Sequence, residues 1–277
     1  MKSIVVIPVY KPKPELNEIH SFIQCLKILY KHPICIITYQ DLNISYYTNL
    51  LAKFKIKFHI EYFDSTYFQN IYGYNKLMLS LDFYKRFNSF IYILIYQLDS
   101  WVFRDELDYW CQKGYDYIGA PWLVEKENRL SIEGFAGNGG FSLRRISSFV
   151  RTLEIKKKIV LNPLEILQEY LKSSTRSLFL KVPLIAARIF GYRNNTEYFR
   201  NINNRKEDMF WANLGSKINK DFTVIQGQEA IGFAFERYPG YLYKLNNYNL
   251  PFGCHGWAKH DKEFWLKHIS CFNDLLE

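Results

Sequence analysis

The chain has 277 residues, 48% of them apolar and 23% charged, the balance of an ordinary globular protein, which excludes a disordered chain. Its 36 Lys and Arg outweigh 27 Asp and Glu, and the net charge of +9 favours anionic partners such as phosphorylated small molecules or acidic lipid head groups. No run reaches the ~18 consecutive apolar residues of a membrane span, and the first apolar run ends at Pro8 with no small-residue cleavage site, so a cytoplasmic protein is expected.

The 22 Tyr, 22 Phe and 6 Trp suit stacking on bases or sugar rings, and suit AT-rich codon usage equally well. Cys25, Cys35, Cys111, Cys254 and Cys271 are widely spaced and form no CxxC pair or Cys/His cluster, so they read as reduced cytosolic thiols.

In chain order, residues 4–9 predict a central strand that leaves into a loop marked by Pro8 and Pro12. A helical pattern covers 15–30, a second apolar strand 34–38 and an alternating third strand 55–61. A helix over 74–87 then leads into the most hydrophobic strand, 90–96. Strands alternating with helices predict an α/β fold with a mixed, mostly parallel sheet covered on both faces. Ligands of such sheets bind beyond the carboxyl ends of the strands. Residues 115–145 hold short strands and glycine turns, about 150–206 form a basic helical insertion, and the last 70 or so return to mixed strand and loop. No internal repeat or low-complexity linker interrupts the chain, which predicts one domain over 1–277.

Four stretches carry polar residues suited to chemistry. The strand over 90–96 runs into Gln97-Leu98-Asp99-Ser100, where an acid at a strand's carboxyl end can meet a divalent cation and a diphosphate. A lone Asp there also serves as a turn or cap residue. Gly137-Asn138-Gly139-Gly140-Phe141-Ser142-Leu143-Arg144 is a glycine-dense turn that lets backbone approach a ligand, or an ordinary hairpin turn. Glu207 and Asp208 open an apolar helical turn, where acids also simply complement the helix dipole. His255 stands between glycines and aromatics in Phe252-Gly253-Cys254-His255-Gly256-Trp257, as a ligand or as a structurally satisfied histidine.

Taken in order, Tyr96-Gln97-Leu98-Asp99, Gly119-Ala120-Pro121-Trp122, the turn from Gly137 to Arg144, Glu207-Asp208-Met209-Phe210-Trp211 and the His255 stretch resemble a little-studied family of bacterial and fungal glycosyltransferases. More distantly they are similar to the Fringe-like inverting β-1,3-glycosyltransferases of the GT-A fold. The likeness spans nearly the whole chain and is weakest over 150–206. It implies a GT-A-like (Rossmann-like) sheet whose residues 1–110 bind a nucleotide-sugar and whose residues 111–277 carry the acceptor side.

The resemblance also implies roles. Asp99 matches the last acid of the family's Asp-x-Asp motif, which holds Mn2+ or Mg2+ against the donor diphosphate; Gln97 replaces the first acid and removes one ligand. His255 matches the late histidine that completes the metal shell. Asp64 and Lys76 match the donor-side Asp-x-Tyr and the lysine after it, implying base or ribose contact and diphosphate contact. Gly139 and Gly140 match the loop lining the donor sugar and acceptor, and Asp208 of the Glu207–Asp208 pair matches the catalytic base.

The chemistry requires the same parts: a carboxylate to take the acceptor proton, positive charge on the leaving diphosphate and both substrates held in line. Without a metal, Lys76 or Arg144 would supply that charge. The activity the resemblance implies is inverting sugar transfer of hexosyltransferase type, from a UDP-sugar to a hydroxyl of a capsule, O-antigen or lipooligosaccharide precursor. The same site could instead hydrolyse a nucleotide-sugar or another phosphate ester. The expected acceptor is a glycan or a lipid-diphosphate-linked glycan.

The basic stretch bears Arg151, Lys156, Lys157, Lys158, Lys172, Arg176, Lys181, Arg188 and Arg193 among Leu, Ile, Phe and Val. It suits docking on the anionic inner face of the cytoplasmic membrane, or a solvated helix packed on the domain. Pro183 argues against one uninterrupted helix there. No recognised nucleic-acid-binding motif is present, and nucleic acid is not an expected partner.

Overall fold

A computed structural model describes residues 2–127, 129–156, 158–172, 178–202 and 206–269. The chain begins with β1 (Ser3–Pro8), α1 (Leu16–Ile28), β2 (Ile34–Thr38), α2 (Ser45–Lys53) and β3 (Phe58–Tyr62). After a 3-10 turn at Ser65–Tyr67 come α3 (Ile71–Met78), α4 (Leu81–Arg86), β4 (Tyr92–Tyr96), β5 (Ser100–Val102) and α5 (Leu107–Gln112). The middle of the chain supplies β6 (Tyr117–Ile118), β7 (Pro121–Lys126), β8 (Arg129–Ala136) and β9 (Phe141–Arg145). Helices α6 (Ile146–Glu154), α7 (Pro163–Lys172), α8 (Leu178–Ile189), α9 (Thr196–Asn201) and α10 (Glu207–Ile218) follow. Last come α11 (Gly227–Ala230), β10 (Ala234–Phe235), α12 (Pro239–Leu245), β11 (Gly253–His255) and α13 (Lys262–Leu266).

The main sheet has six strands in the order β3-β2-β1-β4-β9-β6. β3, β2, β1 and β4 run parallel, and β9 and β6 add antiparallel pairs, so the sheet is mixed and mostly parallel as expected. β1, β2 and β4 are buried throughout, because apolar runs rich in Ile and Val suit strands covered on both faces. Alternate β1 residues separate two cores. Val5 and Ile7 join Phe22 and Leu26 of α1, while Ile4 and Val6 join Phe83 of α4, Phe149 of α6 and Trp211 of α10. A smaller sheet, β10-β11-β5, is closed by a third cluster containing Trp101, Trp257 and Trp265.

Local signals place the ends of several helices. Glu15 and Glu18 form a capping box that starts α1. The helix expected over 74–87 is two helices, because Ser80 accepts from the Phe83 amide at 3.1 Å and so begins α4. Asn70 begins α3 earlier than expected by accepting from the Tyr72 and Gly73 amides. The strand expected over 90–96 spans Tyr92–Tyr96, and the one expected over 55–61 spans Phe58–Tyr62.

The basic insertion is helical as expected, but α8 continues through Pro183 rather than stopping there. One lost amide donor is tolerated because Ile185 and Ile189, beyond the proline, pack against the second core. Lys157, Arg176 and Cys271 lie outside the described residues; Cys25, Cys35, Cys111 and Cys254 are free and buried. Among the described residues no helix is long and apolar enough to cross a membrane.

Candidate functional site

β1 and β4 end beside a cleft of about 380 Å3. Tyr10, Lys11, Tyr47, Tyr67, Phe68 and Tyr74 line it, with Gln97 and Asp99 from the loop after β4. Most of this lining follows from topology: the residue after each parallel strand faces the same rim.

Backbone hydrogen bonds fasten three loops behind Asp99. The Gln97 amide donates to the Gly140 carbonyl at 2.8 Å, and the Gly256 amide donates to the Asp99 carbonyl at 2.9 Å. Asn138 accepts from the Gly140 amide at 2.9 Å. Stretches distant in sequence, around Gln97, Gly140 and His255, therefore share one corner.

His255 is the centre of that corner. Its Nε2 lies 3.1 Å from Asp99 Oδ1 and 3.2 Å from Gln97 Oε1, while its Nδ1 lies 3.2 Å from Glu236 Oε1. Burial disfavours the charged imidazole, but Asp99 and Glu236 prevail and hold its pKa up at about 10. In return, although burial opposes ionisation, His255 holds both Asp99 and Glu236 below the usual carboxylate range. Gly140 is obligatory beside this ring: a Cβ there would overlap the imidazole.

The neighbouring glycine serves a different pair. A Cβ on Gly139 would overlap the Glu207 carboxylate, which lies 2.8 Å from Arg144 Nη2. Arg144 is fully buried and also donates to Tyr84 Oη at 3.0 Å, Ser142 Oγ at 3.0 Å and the Gly139 carbonyl at 3.3 Å. Glu207 Oε2 has no hydrogen-bond partner. Burial, with Asp208 adding to it and Arg144 opposing it, pushes the Glu207 carboxyl up to about 7.

Asp208 is half-buried at the start of α10 and accepts from the Met209 amide at 2.7 Å. Burial raises its pKa, and the Glu236 carboxylate adds to the rise. Asp208 thus shares an electrostatic environment with the Asp99–His255–Glu236 chain.

The structure brings Gln97, Asp99, Gly139, Gly140, Glu207, Asp208 and His255 around one turn. It separates others. Arg144 is no candidate for neutralising a leaving group, because its guanidinium is sealed in the core and paired to Glu207. Asp64 is exposed and caps the turn at Ser65–Tyr67 by accepting from the Thr66 amide (2.9 Å) and hydroxyl (2.6 Å). Lys76 is exposed on α3, and neither Asp64 nor Lys76 lines the cleft. The cation that does line it is Lys11, held 2.7 Å from Glu18 and 3.1 Å from Glu15.

Lys11, Tyr10 and Glu236 escape the sequence reading. Tyr10 and Lys11 carry a usable signal, since they follow the first buried strand directly. Glu236 carries one only through register: β10 pairs parallel with β11, Phe235 opposite Cys254, so the next residue of each strand, Glu236 and His255, fall side by side.

Once His255 gives up its Nε2 proton, the donor set there would suit a hard divalent cation: a carboxylate, an imidazole nitrogen and an amide oxygen converge, with Glu236 orienting the ring from behind. Among the described residues no group of three His, Cys, Asp or Glu is arranged to hold a metal, so protein ligands alone would leave the shell incomplete.

A mixed α/β sheet with its cleft at the carboxyl ends of β1 and β4 defines the class of this molecule. Within that class the chain belongs to the family described as "Protein of unknown function (DUF5672)", whose model matches residues 57–255. No curated protein matches. Solved structures with similar folds include core-mannan synthase A from Aspergillus fumigatus in its Mn/GDP form, at 10% identity and TM-score 0.37, over 72% of this chain and 58% of that one. The mannosyltransferase Ktr4p from S. cerevisiae in complex with GDP is similar at 8% identity and TM-score 0.40, over 83% of this chain and 68% of that one. Mouse xyloside xylosyltransferase 1, in its apo form, is similar at 11% identity and TM-score 0.43, over 92% and 97% of the two chains. The chain thus spans little more than half the length of the mannan synthase it matches.

Proposed function

We propose that this protein is a GT-A-type glycosyltransferase that moves a sugar, with inversion, from a nucleotide-sugar donor to a hydroxyl of a cell-surface glycan precursor. The observation that supports it best is the junction of an aromatic-lined cleft with the Asp99–His255–Glu236 chain, near which Asp208 stands. The rings of Tyr10, Tyr67 and Phe68 suit a flat base, and Asp99 at the cleft wall suits the diphosphate end of the donor. The donor side then falls within residues 1–110 and the acceptor side within 111–277.

In this reading Asp99, His255 and Gln97 would hold Mn2+ or Mg2+, whose chemistry is to stabilise charge on the departing nucleoside diphosphate. Glu236 positions His255 by accepting at Nδ1. Lys11, rather than Lys76 or Arg144, is the cation facing the leaving group. Asp208 takes the proton from the acceptor hydroxyl as its oxygen attacks the anomeric carbon. Its raised pKa strengthens it as a base relative to an ordinary aspartate. Glu207, tied to Arg144, fixes the start of α10 and so the place of Asp208. The acceptor we infer is a glycan or a lipid-diphosphate-linked glycan met at the inner face of the cytoplasmic membrane.

The test is product analysis with UDP-, GDP- and CMP-sugars and Mn2+, with and without a glycan acceptor. Asp208→Asn should lower transfer by about 100-fold or more while nucleotide still raises the melting point. Near-normal turnover in that variant would refute its role. Free sugar released at the same rate without acceptor would make the protein a nucleotide-sugar hydrolase.

A further inference from the structure

The helices of the basic insertion are apolar on two sides. Ile166 is buried, and Tyr170, Ile185 and Ile189 pack against the second core, which accounts for the inner face of α7 and α8. The outer face of a solvated helix is expected to be polar. Here it is not: Leu164 (71% exposed), Leu167 and Leu171 follow one stripe of α7, Leu184 stands exposed on α8, and Phe190 follows α8 at 85% exposure.

Charge separates the occupants such a face can have. Residues 158–193 contain six Lys or Arg and two Glu, so they hold four of the chain's nine net positive charges. Both acids are occupied, Glu165 by Lys217 and Glu169 by Arg188 at 2.9 Å. Of the insertion's cations, Lys181 lies over the ring of Tyr170 and Arg193, past the end of α8, over that of Tyr192. A second copy of the chain would bring a like-charged face against this one. An anionic bilayer complements both its apolar and its cationic parts. α8 has 12 residues, so it can lie in the interface and not span.

We propose that the outward face of α7 and α8, with Phe190, is a monotopic docking surface for an anionic bilayer. This gives the membrane reading a defined surface and lipid charge, and the docking stands whether or not the protein transfers sugar. The Glu165–Lys217 pair anchors α7 to α10. Lys217 is nine residues along that helix from Asp208, roughly 14 Å of rise. If the sugar-transfer reading holds, docking brings the base within reach of an acceptor anchored in lipid.

The experiment is sedimentation of the full chain with vesicles of phosphatidylcholine alone and of phosphatidylcholine mixed with phosphatidylglycerol. The mixed vesicles should retain the protein, less so at high salt, and the neutral ones should not. Leu164→Ser with Phe190→Ser should weaken retention by about tenfold or more, with melting unchanged because both residues are exposed. Tyr30→Ser, an exposed aromatic elsewhere, should bind as the wild type does. Equal retention on neutral vesicles, or undiminished retention of the double variant, would overturn the proposal. So would a concentration-dependent dimer that the double variant dissolves, which would assign the face to a second copy. None of these readouts depends on turnover.

Discussion

Gly139 and Gly140 are neighbours in sequence, yet each makes room for a different kind of charge. Behind Gly139 the Glu207–Arg144 pair is closed off, with Arg144 fully buried and held by several polar partners. Behind Gly140, His255 joins Glu236 to Asp99, and Asp99 opens onto the cleft. Both groups contain a cation and carboxylates at hydrogen-bond distance. Access distinguishes them: a buried pair with no route to a ligand fixes geometry, while the same chemistry at a cleft wall can bind one.

The sharpest way to break this contrast is Arg144→Met. It would leave Glu207 buried without its counter-charge, and chemical denaturation should register a loss of about 3–5 kcal/mol. A loss below about 1 kcal/mol would mean that water reaches the pair.

Asp99→Asn should do the reverse. Its intrinsic cost should stay near 1 kcal/mol, since Asp99 is partly exposed. On the sugar-transfer reading, the stabilisation expected from nucleotide with Mn2+, about 2.7 kcal/mol at a ligand concentration 100 times Kd, should vanish from thermal melts. Retained stabilisation would remove Asp99 from the binding site.

The smallest effect is in pH. The Glu207 carboxyl sits near 7 in the folded chain, against its ordinary value of 4.5. Between those values the folded state therefore binds more protons than the unfolded one, and stability falls as pH rises. Relative to Glu207→Gln, wild type should lose roughly 2.5 kcal/mol from pH 5 to pH 8, most of it before pH 7. Parallel pH profiles of wild type and Glu207→Gln would show that Arg144 keeps Glu207 ionised throughout.

Much of the fold was legible because its information is local. The apolar runs at β1, β2 and β4 can only be strands buried on both faces, and their alternation with helices implies parallel order. Asp99 could likewise be read from its place after the most hydrophobic strand. α2, the break between α3 and α4, and the passage of α8 through Pro183 were not read, since capping and packing outweighed the pattern there.

The site divides the same way. Residue types and order identified Asp99, the Glu207–Asp208 pair and His255 as candidates, and the glycine turn as a place of close approach. Only the tertiary structure decided that Arg144 faces inward to Glu207, that Glu236 stands behind His255, and that Lys11 rather than Lys76 or Arg144 faces the cleft. Strand register and burial set which side chains meet, and both depend on pairings between residues far apart in the chain, such as Phe235 with Cys254 and Tyr96 with Phe141. A sequence fixes local preference, but the partner and accessibility of a charge are set when distant strands close on one another.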